Sequence, residues 1–277
     1  MKELVSVCIP AYNNADTILD TIQSVLEQTY EKIEIIVVDD CSMDTTADLI
    51  RTVADSRVRL IRNEKNLGMG GNWNKALWEA KGSYVKLLCG DDILYPRSIE
   101  KEVTALQNNP DVNLVMSDTV LIDMQGKPIG AFRRFPVRGR MSGKKLAWIS
   151  LLFNNFFGAP CNNMFRKSAA EEVKGFDEGF TYILDFDFWV RLATLGYVYI
   201  IHEDLNGFRV RNDSNTDQVM GSGEKGGLYV AEHRKLLEKH SQVLRLGHLY
   251  IRLSVWWRKT RSVVIHYYLK RKRKKHS

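Results

Sequence analysis

The sequence predicts an α/β protein with a mostly parallel central sheet flanked by helices, followed by a helical, basic C-terminal extension. Short apolar runs typical of buried strands alternate with stretches of helical spacing over residues 4–117. This alternation is the pattern of parallel strands joined by right-handed helical crossovers. Two of the apolar runs end in adjacent carboxylates, Asp39-Asp40 and Asp91-Asp92. Because ligands bind at the carboxyl ends of strands in open α/β sheets, these acids are candidates for a functional site.

The first half of the chain supplies the regular part of this pattern. Strands are predicted where apolar residues run without interruption, and helices where apolar residues recur every three or four positions. The predicted strands cover residues 4–9, 33–38, 58–61, 84–88 and 112–117, and the predicted helices cover residues 16–28, 45–54, 72–80 and 96–107. Each of the first four strands is followed by a helix, as a parallel sheet requires.

The second half is less regular. Residues 123–128 have the composition of a hairpin turn, and residues 133–143 form a basic, glycine-containing loop. The further predicted elements are a helix at residues 144–153, a strand at 164–166, an amphipathic helix at 185–192 and a strand at 197–201. We therefore expect two halves of one domain, residues 1–118 and 119–226, and a C-terminal extension, residues 227–277.

Composition limits the class of protein. With 277 residues, 44% of them hydrophobic, the chain is long enough for one large α/β domain with an appendage. The first residues lead into a strand pattern without a secretory signal, and no apolar stretch has the length to span a membrane. The four cysteines are widely spaced, which argues against a zinc site. We expect a cytoplasmic protein with reduced thiols.

The net charge of +7 is distributed unevenly. Residues 234–277 contain 14 Lys and Arg residues against one acid, a net charge of +13, whereas the rest of the chain has 26 basic and 32 acidic residues, a net charge of −6. This distribution argues against a body that binds nucleic acid over a broad face. A helix is predicted from residue 229 onward, with one stripe formed by Leu246, Leu249, Leu253, Trp256, Val263 and Tyr267.

The tail combines aromatic and basic residues. Trp256, Trp257, Tyr267 and Tyr268 precede an unbroken basic cluster at residues 270–275. This is the composition of an interfacial segment that binds an anionic membrane surface. The alternative is a solvated basic tail on a helix that packs against the body. We expect the membrane-surface interaction, because a merely solvated tail does not explain the tryptophan pair.

The adjacent carboxylates Asp91 and Asp92 follow a short strand run and Gly90. Neighbouring carboxylates repel each other unless a cation or a hydrogen-bond donor takes up their charge. Oxygen ligands suit Mg²⁺ or Mn²⁺, which proteins usually share with substrate phosphates. The pair predicts a site for a metal ion and a diphosphate, and the alternative is a solvated turn before a helix N-cap.

Five blocks of the sequence together resemble the large family of inverting nucleotide-sugar glycosyltransferases with the GT-A fold, glycosyltransferase family 2. The blocks are residues 7–13, 37–42, 66–68, 90–92 and 184–192. They occur in the order typical of the family and cover roughly residues 4–217. The resemblance implies an enzyme that transfers a hexose-type residue from a nucleotide-sugar donor, UDP-linked in preference to GDP- or dTDP-linked, to an acceptor hydroxyl with inversion.

The resemblance also implies how the donor is bound. The turn formed by Pro10, Ala11, Tyr12 and Asn13 holds the nucleoside, and Asp39 accepts a hydrogen bond from uracil. A carboxylate only accepts hydrogen bonds, which suits an N–H on a base edge. The remaining expected donor contacts are Asn66, Gly68, Asp91, Arg209 and Arg211. A guanidinium group binds phosphate bidentately, which suits Arg211 to the diphosphate.

The metal site implied by the resemblance departs from the fullest form of the family. We expect Asp92 to be the ligand of Mn²⁺ or Mg²⁺, with Asp91 as a ribose contact or a second metal contact. Cys89 stands where many members have another Asp. The metal would offset the charge that develops on the leaving diphosphate. Because residues 209–211 read Arg-Val-Arg instead of Arg-x-His, a histidine ligand would be lost.

Asp185 matches the catalytic base of the family, in a block where Leu184 replaces the usual Glu. In an inverting displacement the base takes the proton of the acceptor hydroxyl as its oxygen attacks the anomeric carbon. Shielding by the neighbouring aromatic residues would raise the pKa of the carboxyl group toward a range suited to that step. The alternatives are that Asp185 only caps its helix and that Asp187 is the base.

Residues 1–118 are therefore expected to bind the donor, and residues 119–226 a glycan or lipid-linked acceptor in cell-surface polysaccharide or glycoconjugate synthesis. The extension would hold the enzyme at the cytoplasmic face of a membrane. The rival hypotheses are a nucleotidyltransferase acting on sugar phosphates and a non-catalytic membrane-docking scaffold. The first needs a glycine-rich, basic phosphate loop after the first strand, and residues 10–14 do not have that composition.

Overall fold

The computed structural model describes residues 2–132, 136–211 and 223–273, with residues 223–226 and 261–273 described in secondary structure only. The strands are β1 (Val5–Ala11), β2 (Ile33–Asp39), β3 (Val58–Arg62), β4 (Tyr84–Leu87), β5 (Ile93–Leu94), β6 (Val112–Ile122), β7 (Pro128–Phe132), β8 (Gly139–Ser142), β9 (Asn163–Arg166) and β10 (Tyr197–Arg209). The helices are α1 (Ile18–Leu26), α2 (Thr46–Arg51), α3 (Gly68–Trp78), α4 (Ser98–Asn108), α5 (Gly143–Leu152), α6 (Lys167–Glu172), α7 (Leu184–Thr194), α8 (Gly223–His240) and α9 (His248–Arg273).

The strands of the described ranges form one sheet in the order β3-β2-β1-β4-β9-β6-β10-β5, with β7 paired to β6 and β8 to β10. Strands β3, β2, β1 and β4 run parallel, as do β6 and β10. β9 lies antiparallel between β4 and β6 and so joins the two parallel sets. The predicted α/β class with a central sheet flanked by helices is confirmed. The sheet is mixed because β9 and the short strands β5, β7 and β8 run antiparallel.

Helices cover both faces of the sheet, because β1 and β2 are apolar and buried along nearly their whole length. On one face α1, α2 and α4 pack over the strands, with Ile22 and Val103 among the residues buried there. On the other face α3, α5 and α7 form the larger cluster, which contains Phe188 and Trp189. Leu236 of α8 joins this second cluster, so the C-terminal extension is part of the core.

The second half of the chain contains more strand than the sequence predicts. The hairpin turn predicted at residues 123–128 is confirmed, since β6 and β7 pair antiparallel on either side of it. Within the predicted loop at residues 133–143, β8 is a strand paired to β10. β6 extends to Ile122 and β10 to Arg209, beyond their predicted ends, because the two strands pair with each other along those residues.

The C-terminal extension contains two helices, so the prediction of one continuous helix from residue 229 is wrong. α8 ends at His240 and α9 begins at His248. Arg245, between them, has a φ of 52°, a left-handed conformation that breaks the helical path. None of the helices in the described part of the chain combines the length and the apolar content needed to span a bilayer.

The apolar stripe predicted on this extension does not pack against the body along α9. Leu246 is buried, but Leu249, Leu253 and Trp256 are 70%, 48% and 61% exposed. α9 instead buries the face that carries Arg258, whose Nε donates to His233 Nε2 of α8 at 2.6 Å. Ser254 and Val255 are buried on the same side, so the inward face of α9 combines polar and apolar residues and is not revealed by apolar spacing alone. The side chains of Val263, Tyr267 and residues 270–275 lie outside the described set.

Candidate active site

The loop after β1 is the first part of the site. Pro10 and Ala11 are buried at the end of β1, in register with the end of β2. Tyr12 follows and is 43% exposed. Asn13 has a φ of 52°, which Asn tolerates better than most residues, and its N–H donates to Ser42 Oγ at 2.9 Å. The loops that follow β1 and β2 are therefore tied together.

Asp39, the last residue of β2, is fully buried. Its Oδ2 accepts from the N–H of Ser42 at 3.2 Å and forms an ion pair with Arg62 Nε at 3.2 Å. Its Oδ1 is buried and has no hydrogen-bond partner in the part of the chain that the structure describes. An unpaired buried acceptor is costly, so this oxygen is prepared to accept a hydrogen bond from a ligand.

Asp40 has a different task from its neighbour. Its Oδ1 accepts from Asn63 Nδ2 and from the N–H of Leu67, both at 2.8 Å. These bonds hold the segment that leads to Asn66 and Gly68. The Asn66 side chain accepts from the N–H of Gly68 at 2.9 Å, and Gly68 has a φ of 75°, which favours glycine. Asp40 thus positions the loop in which two of the expected donor contacts lie.

The chain after β4 is held against the loop after β1. Thr17 Oγ1 donates to the carbonyl oxygen of Gly90 at 2.8 Å. A Cβ atom at Gly90 would lie 2.9 Å from Asn14 Oδ1, so a side chain at this position would push the two segments apart. The two acids that follow Gly90 are thereby placed beside the loop expected to hold the nucleoside.

Asp91 and Asp92 differ in exposure. Asp92 is buried, its Oδ1 accepts from the N–H of Arg209 at 3.0 Å, and no nitrogen or oxygen donor reaches its Oδ2. Burial and the charge of Asp91 raise the pKa of Asp92 well above its usual range, although the Arg209 N–H and the Cys161 thiol favour its charged form. The side chain of Asp91 is 24% exposed, and its Oδ2 lies 3.9 Å from Arg211 Nη1. Asp91 is therefore the more accessible carboxylate.

Asp185 lies in the first turn of α7, and its Oδ1 accepts from the N–H of Phe186 at 2.7 Å. Burial raises the pKa of the Cys89 thiol, and the charges of Asp92, Asp91 and Asp185 raise it further. All three carboxylates therefore act electrostatically on the same thiol. Asp91 and Asp92 are close to Cys89 in sequence, so Asp185 is the acid that the fold brings to this region.

Asp187, the alternative base, is fully engaged by the protein. Its Oδ2 accepts from Arg191 Nε at 2.7 Å, and its Oδ1 meets His240 Nε2 at 3.0 Å and Lys239 Nζ at 2.8 Å. Burial tends to raise the pKa of Asp187, but the His240 hydrogen bond and the charges of Arg191 and Lys239 outweigh it and hold the pKa at about 2. A carboxylate so weakly basic is unsuited to proton abstraction.

The two arginines at the end of β10 also differ. The guanidinium of Arg209 is buried and donates to the carbonyl oxygens of Asp91 at 2.7 Å and Met124 at 2.7 Å. It therefore holds backbone together, which differs from the donor contact expected from the sequence. Arg211 is only partly buried and stands beside Asp91. Of the two, Arg211 is the one positioned to meet an anionic ligand.

A buried ion pair lies near the site and was not predicted from the sequence. Lys86 Nζ lies 2.5 Å from Glu102 Oε1, and both side chains are fully buried. Burial and the charge of Asp92 raise the pKa of the Cys161 thiol, and the charge of Lys86 opposes them. The sequence feature that could have predicted this ion pair is a lysine inside an apolar strand, because a buried charge needs a partner.

No group of three or more His, Cys, Asp or Glu side chains suited to holding a metal ion is found within the described ranges. Magnesium-type ions are often bound by one or two carboxylates, with water and substrate phosphates as the other ligands. Asp91 and Asp92 match that kind of donor set, and Asp92 Oδ2 accepts no hydrogen bond from a nitrogen or oxygen donor of the described residues.

Comparison with known proteins adds to this geometry. The model of the family described as glycosyl transferase family 2 matches residues 6–174. An uncharacterized glycosyltransferase of Methanocaldococcus jannaschii is 31% identical over 219 residues, 77% of this chain and 73% of that protein. The UDP-Glc:alpha-D-GlcNAc-diphosphoundecaprenol beta-1,3-glucosyltransferase WfaP of Escherichia coli is 46% identical over 101 residues, 36% of this chain and 40% of that one.

Two solved structures have a similar fold. S. aureus TarS 1-349 in complex with UDP-GlcNAc gives a TM-score of 0.69 at 17% identity, covering 87% of this chain and 70% of that one. The mannosyltransferase PcManGT from Pyrobaculum calidifontis, in complex with GDP-Man and Mn²⁺, gives a TM-score of 0.64 at 18% identity. The match covers 96% of this chain and 74% of that one. These similarities support the predicted GT-A fold. Since the family model matches more than half of the residues, this chain belongs to glycosyl transferase family 2.

Proposed function

We propose that this glycosyltransferase moves a sugar from a UDP-linked donor to a hydroxyl group of a glycan or lipid-linked acceptor, with inversion at the anomeric carbon. The observation that supports this best is that Thr17 and Gly90 hold Asp91 and Asp92 beside the loop after β1, where Asp185 also acts on the charge of the neighbouring Cys89. Sugar transfer needs a group that stabilises the leaving diphosphate and a base that activates the acceptor, close to each other. The three carboxylates supply side chains for both tasks.

For the donor, we assign the nucleoside to residues 10–13 and to Asp39. The unpaired Oδ1 of Asp39 suits the imide N–H of uracil. The loop at Asn66 and Gly68, held by Asp40, is assigned to the same ligand. UDP-GlcNAc in the TarS structure and UDP-Glc in the name of WfaP support a UDP-linked donor. GDP-Man in the PcManGT structure makes a GDP-linked donor the alternative.

We further propose that Mn²⁺ or Mg²⁺ assists the transfer and that Asp91 is the residue that would hold it. We assign the role of main ligand to Asp91, although Asp92 is the ligand expected from the sequence. The Asp91 side chain is accessible, whereas Asp92 is buried and already accepts a hydrogen bond from Arg209. When bound, the ion would offset the charge that develops on the diphosphate. Mn²⁺ in the PcManGT structure supports this assignment. We assign Arg211 to the diphosphate and do not propose Arg209 as a donor contact.

In the transfer step, Asp185 takes the proton of the acceptor hydroxyl. The hydroxyl oxygen forms a bond to the anomeric carbon from the side opposite the diphosphate. The bond between that carbon and the phosphate oxygen breaks, and its electron pair leaves with the nucleoside diphosphate. One bond forms and one breaks on opposite sides of the same carbon, so the configuration inverts. Asp187 is not assigned to this step because its contacts hold its pKa at about 2.

We also propose that the enzyme works at an anionic membrane surface. Two pairs of aromatic rings join α9 to α5 and the residue after it. The ring centroids of Trp148 and Tyr250 are 4.8 Å apart, and those of Phe153 and Trp257 are 6.5 Å apart. We call these four residues the aromatic surface. Trp256 is exposed on another side of α9, where it lines a pocket with Arg252 and Lys259. Exposed aromatic rings beside basic residues suit the headgroup region of a bilayer. The lipid-linked substrate named for WfaP supports a membrane-bound acceptor.

The membrane proposal is tested by sedimentation with vesicles of phosphatidylcholine, with and without phosphatidylglycerol, at low and high salt. We expect the full chain to pellet with the anionic vesicles at low salt. The double variant Trp256→Ser, Trp257→Ser should pellet less, whereas Trp78→Ser, at an exposed tryptophan of α3, should behave like the wild type. Equal pelleting of all three proteins would reject the aromatic surface and Trp256 as the site of contact.

The catalytic proposal is tested with a panel of UDP-, GDP- and dTDP-linked sugars, scored for metal-dependent release of the nucleoside diphosphate. Asp91→Ala should lose metal-dependent turnover. Asp185→Asn should keep donor affinity and lose transfer by about 10²-fold or more. The control is Asp48→Asn, an exposed acid on α2 that pairs only with Arg51 among the described contacts. Release of pyrophosphate would favour the nucleotidyltransferase, and no release from any donor would favour the scaffold.

A further inference from the structure

The segment that enters α7 has no cap of its own. Ile183 stands at the N-cap position and its side chain makes no capping hydrogen bond. The N–H groups at a helix start have no partner within the helix, so they need acceptors from elsewhere. Asp185 lies in this first turn, which makes the placement of its carboxylate dependent on whatever fixes the helix start.

The acceptor comes from α8, about 50 residues later in the chain. Glu232 Oε1 accepts from the N–H of Thr181 at 2.8 Å, and Glu232 Oε2 accepts from the N–H groups of Tyr182 at 2.8 Å and Ile183 at 3.2 Å. One carboxylate thus binds three consecutive backbone groups immediately before α7. A negative charge at a helix N-terminus is also favoured by the helix dipole.

The same helix holds α7 on the other side of Asp185. Lys239 and His240, at the end of α8, bind the carboxylate of Asp187, two residues after Asp185. Between these two attachments the His233 ring stacks on Phe186, with centroids 6.3 Å apart and planes 7° from parallel. α8 therefore contacts the chain before, beside and after Asp185.

We infer that Glu232 is a positioning residue for Asp185 and that α8 is part of the catalytic apparatus of this enzyme. This inference rests on the proposed role of Asp185 as the base. Glu232 does not touch the reacting atoms in this role; it fixes the backbone that aims the base. The donor-binding segments follow β1, β2 and β4 and make no contact with Glu232 in the described structure, so loss of Glu232 should affect transfer more than donor binding.

Two substitutions separate this role from a merely structural one. Glu232→Gln keeps one acceptor oxygen and loses the charge, and Glu232→Ala loses all three hydrogen bonds. We expect kcat to fall about tenfold in the first and about 10²-fold in the second, as for small misplacements of a catalytic group. Donor Kd and KM should stay within about twofold of the wild-type values. Glu238→Gln, at an exposed acid on the same helix, should leave all these values unchanged.

The measurements are donor binding by calorimetry, acceptor-dependent transfer and thermal unfolding, with Asp185→Asn run in parallel. If Asp185→Asn keeps full transfer activity, Asp185 is not the base, and the inference about Glu232 is then also rejected. If Asp185→Asn loses transfer while Glu232→Gln and Glu232→Ala keep the wild-type kcat, only the inference is overturned. A loss of kcat that accompanies an equal loss of donor affinity in Glu232→Gln would also overturn it. Should Glu232→Ala fail to fold, the Gln variant alone decides.

Discussion

Replacing Asp187 by Asn tests how α7 is held in place. At neutral pH the Asp187 carboxylate is buried and charged, with Arg191, Lys239 and His240 around it. Removing one member of a buried charge cluster typically costs about 3–5 kcal/mol. We expect about 3 kcal/mol, the lower end of that range. Lys239 keeps its contact with Asp177, and Arg191 keeps the carbonyl oxygens of residues 173 and 175.

The pH dependence gives the same prediction a second test. The pKa of Asp187 is about 2 in the folded protein against an ordinary value of 3.8. Because the folded pKa is the lower one, the unfolded chain binds more protons between these values, and stability is lost as the pH falls. This difference corresponds to about 2 kcal/mol, present in full above pH 4 and lost toward pH 2.

The assay is urea unfolding of the wild type and the Asp187→Asn variant, followed by tryptophan fluorescence from pH 7 to pH 3. The difference in free energy of unfolding should stay near 3 kcal/mol down to about pH 5 and shrink below pH 4. The exposed variant Asp48→Asn should differ from the wild type by less than about 1 kcal/mol. Equal stability of wild type and Asp187→Asn, or a difference that does not change with pH, would refute this account of the cluster.

Three further predictions concern other parts of the structure. Gly143→Ala should lower the free energy of unfolding by about 1–3 kcal/mol, because its Cβ would lie 1.9 Å from the carbonyl oxygen of Ala193; an unchanged melting temperature would contradict this close contact. Glu102→Gln should cost about 3–5 kcal/mol by leaving Lys86 without its counter-charge, measured by urea unfolding, and the double variant with Lys86→Met should recover part of the loss. Asp39→Asn should weaken UDP binding about tenfold in calorimetry, since a charge-assisted hydrogen bond becomes a neutral one; an unchanged Kd would remove the uracil contact.

The first half of the fold, residues 1–118, could be predicted from the sequence because its signals are local. Each strand from β1 to β4 is a short apolar run followed by a helix, and the observed bounds differ from the predicted ones by a few residues. The acids at the ends of β2 and β4 were recognisable because a carboxylate directly after a buried strand is conspicuous. The different roles of Asp39 and Asp40 could not be recognised from the sequence. The contacts distinguish them: Asp40 accepts from Asn63 and Leu67, whereas Asp39 pairs with Arg62 and keeps Oδ1 without a partner among the described residues.

The parts that escaped prediction depend on contacts between distant residues. The pairing of β9 with β4 and β6 has no local pattern. Arg209 was assigned to the donor because arginine suits phosphate, but its guanidinium is used by backbone carbonyl groups of loops more than 80 residues away. The inward face of α9 includes Arg258, a residue that any hydrophobicity pattern would place in solvent. Glu232 caps a helix about 50 residues upstream and carries no signal of that role.

The position of β9 has a consequence for how the chain folds during synthesis. β1, β2, β3 and β4 can assemble as soon as residue 87 has been made, because their partners are neighbours in the sequence. The outer edge of β4 then stays unpaired until β9 arrives, about 75 residues later. At typical rates of translation this delay lasts roughly 4–15 seconds. An open, apolar strand edge attracts other strands, so the nascent first half of the chain is the stage most exposed to aggregation. β9 closes that edge, but the Arg209 N–H that binds Asp92 belongs to β10 and is made later, so the edge can close before the candidate metal site is complete.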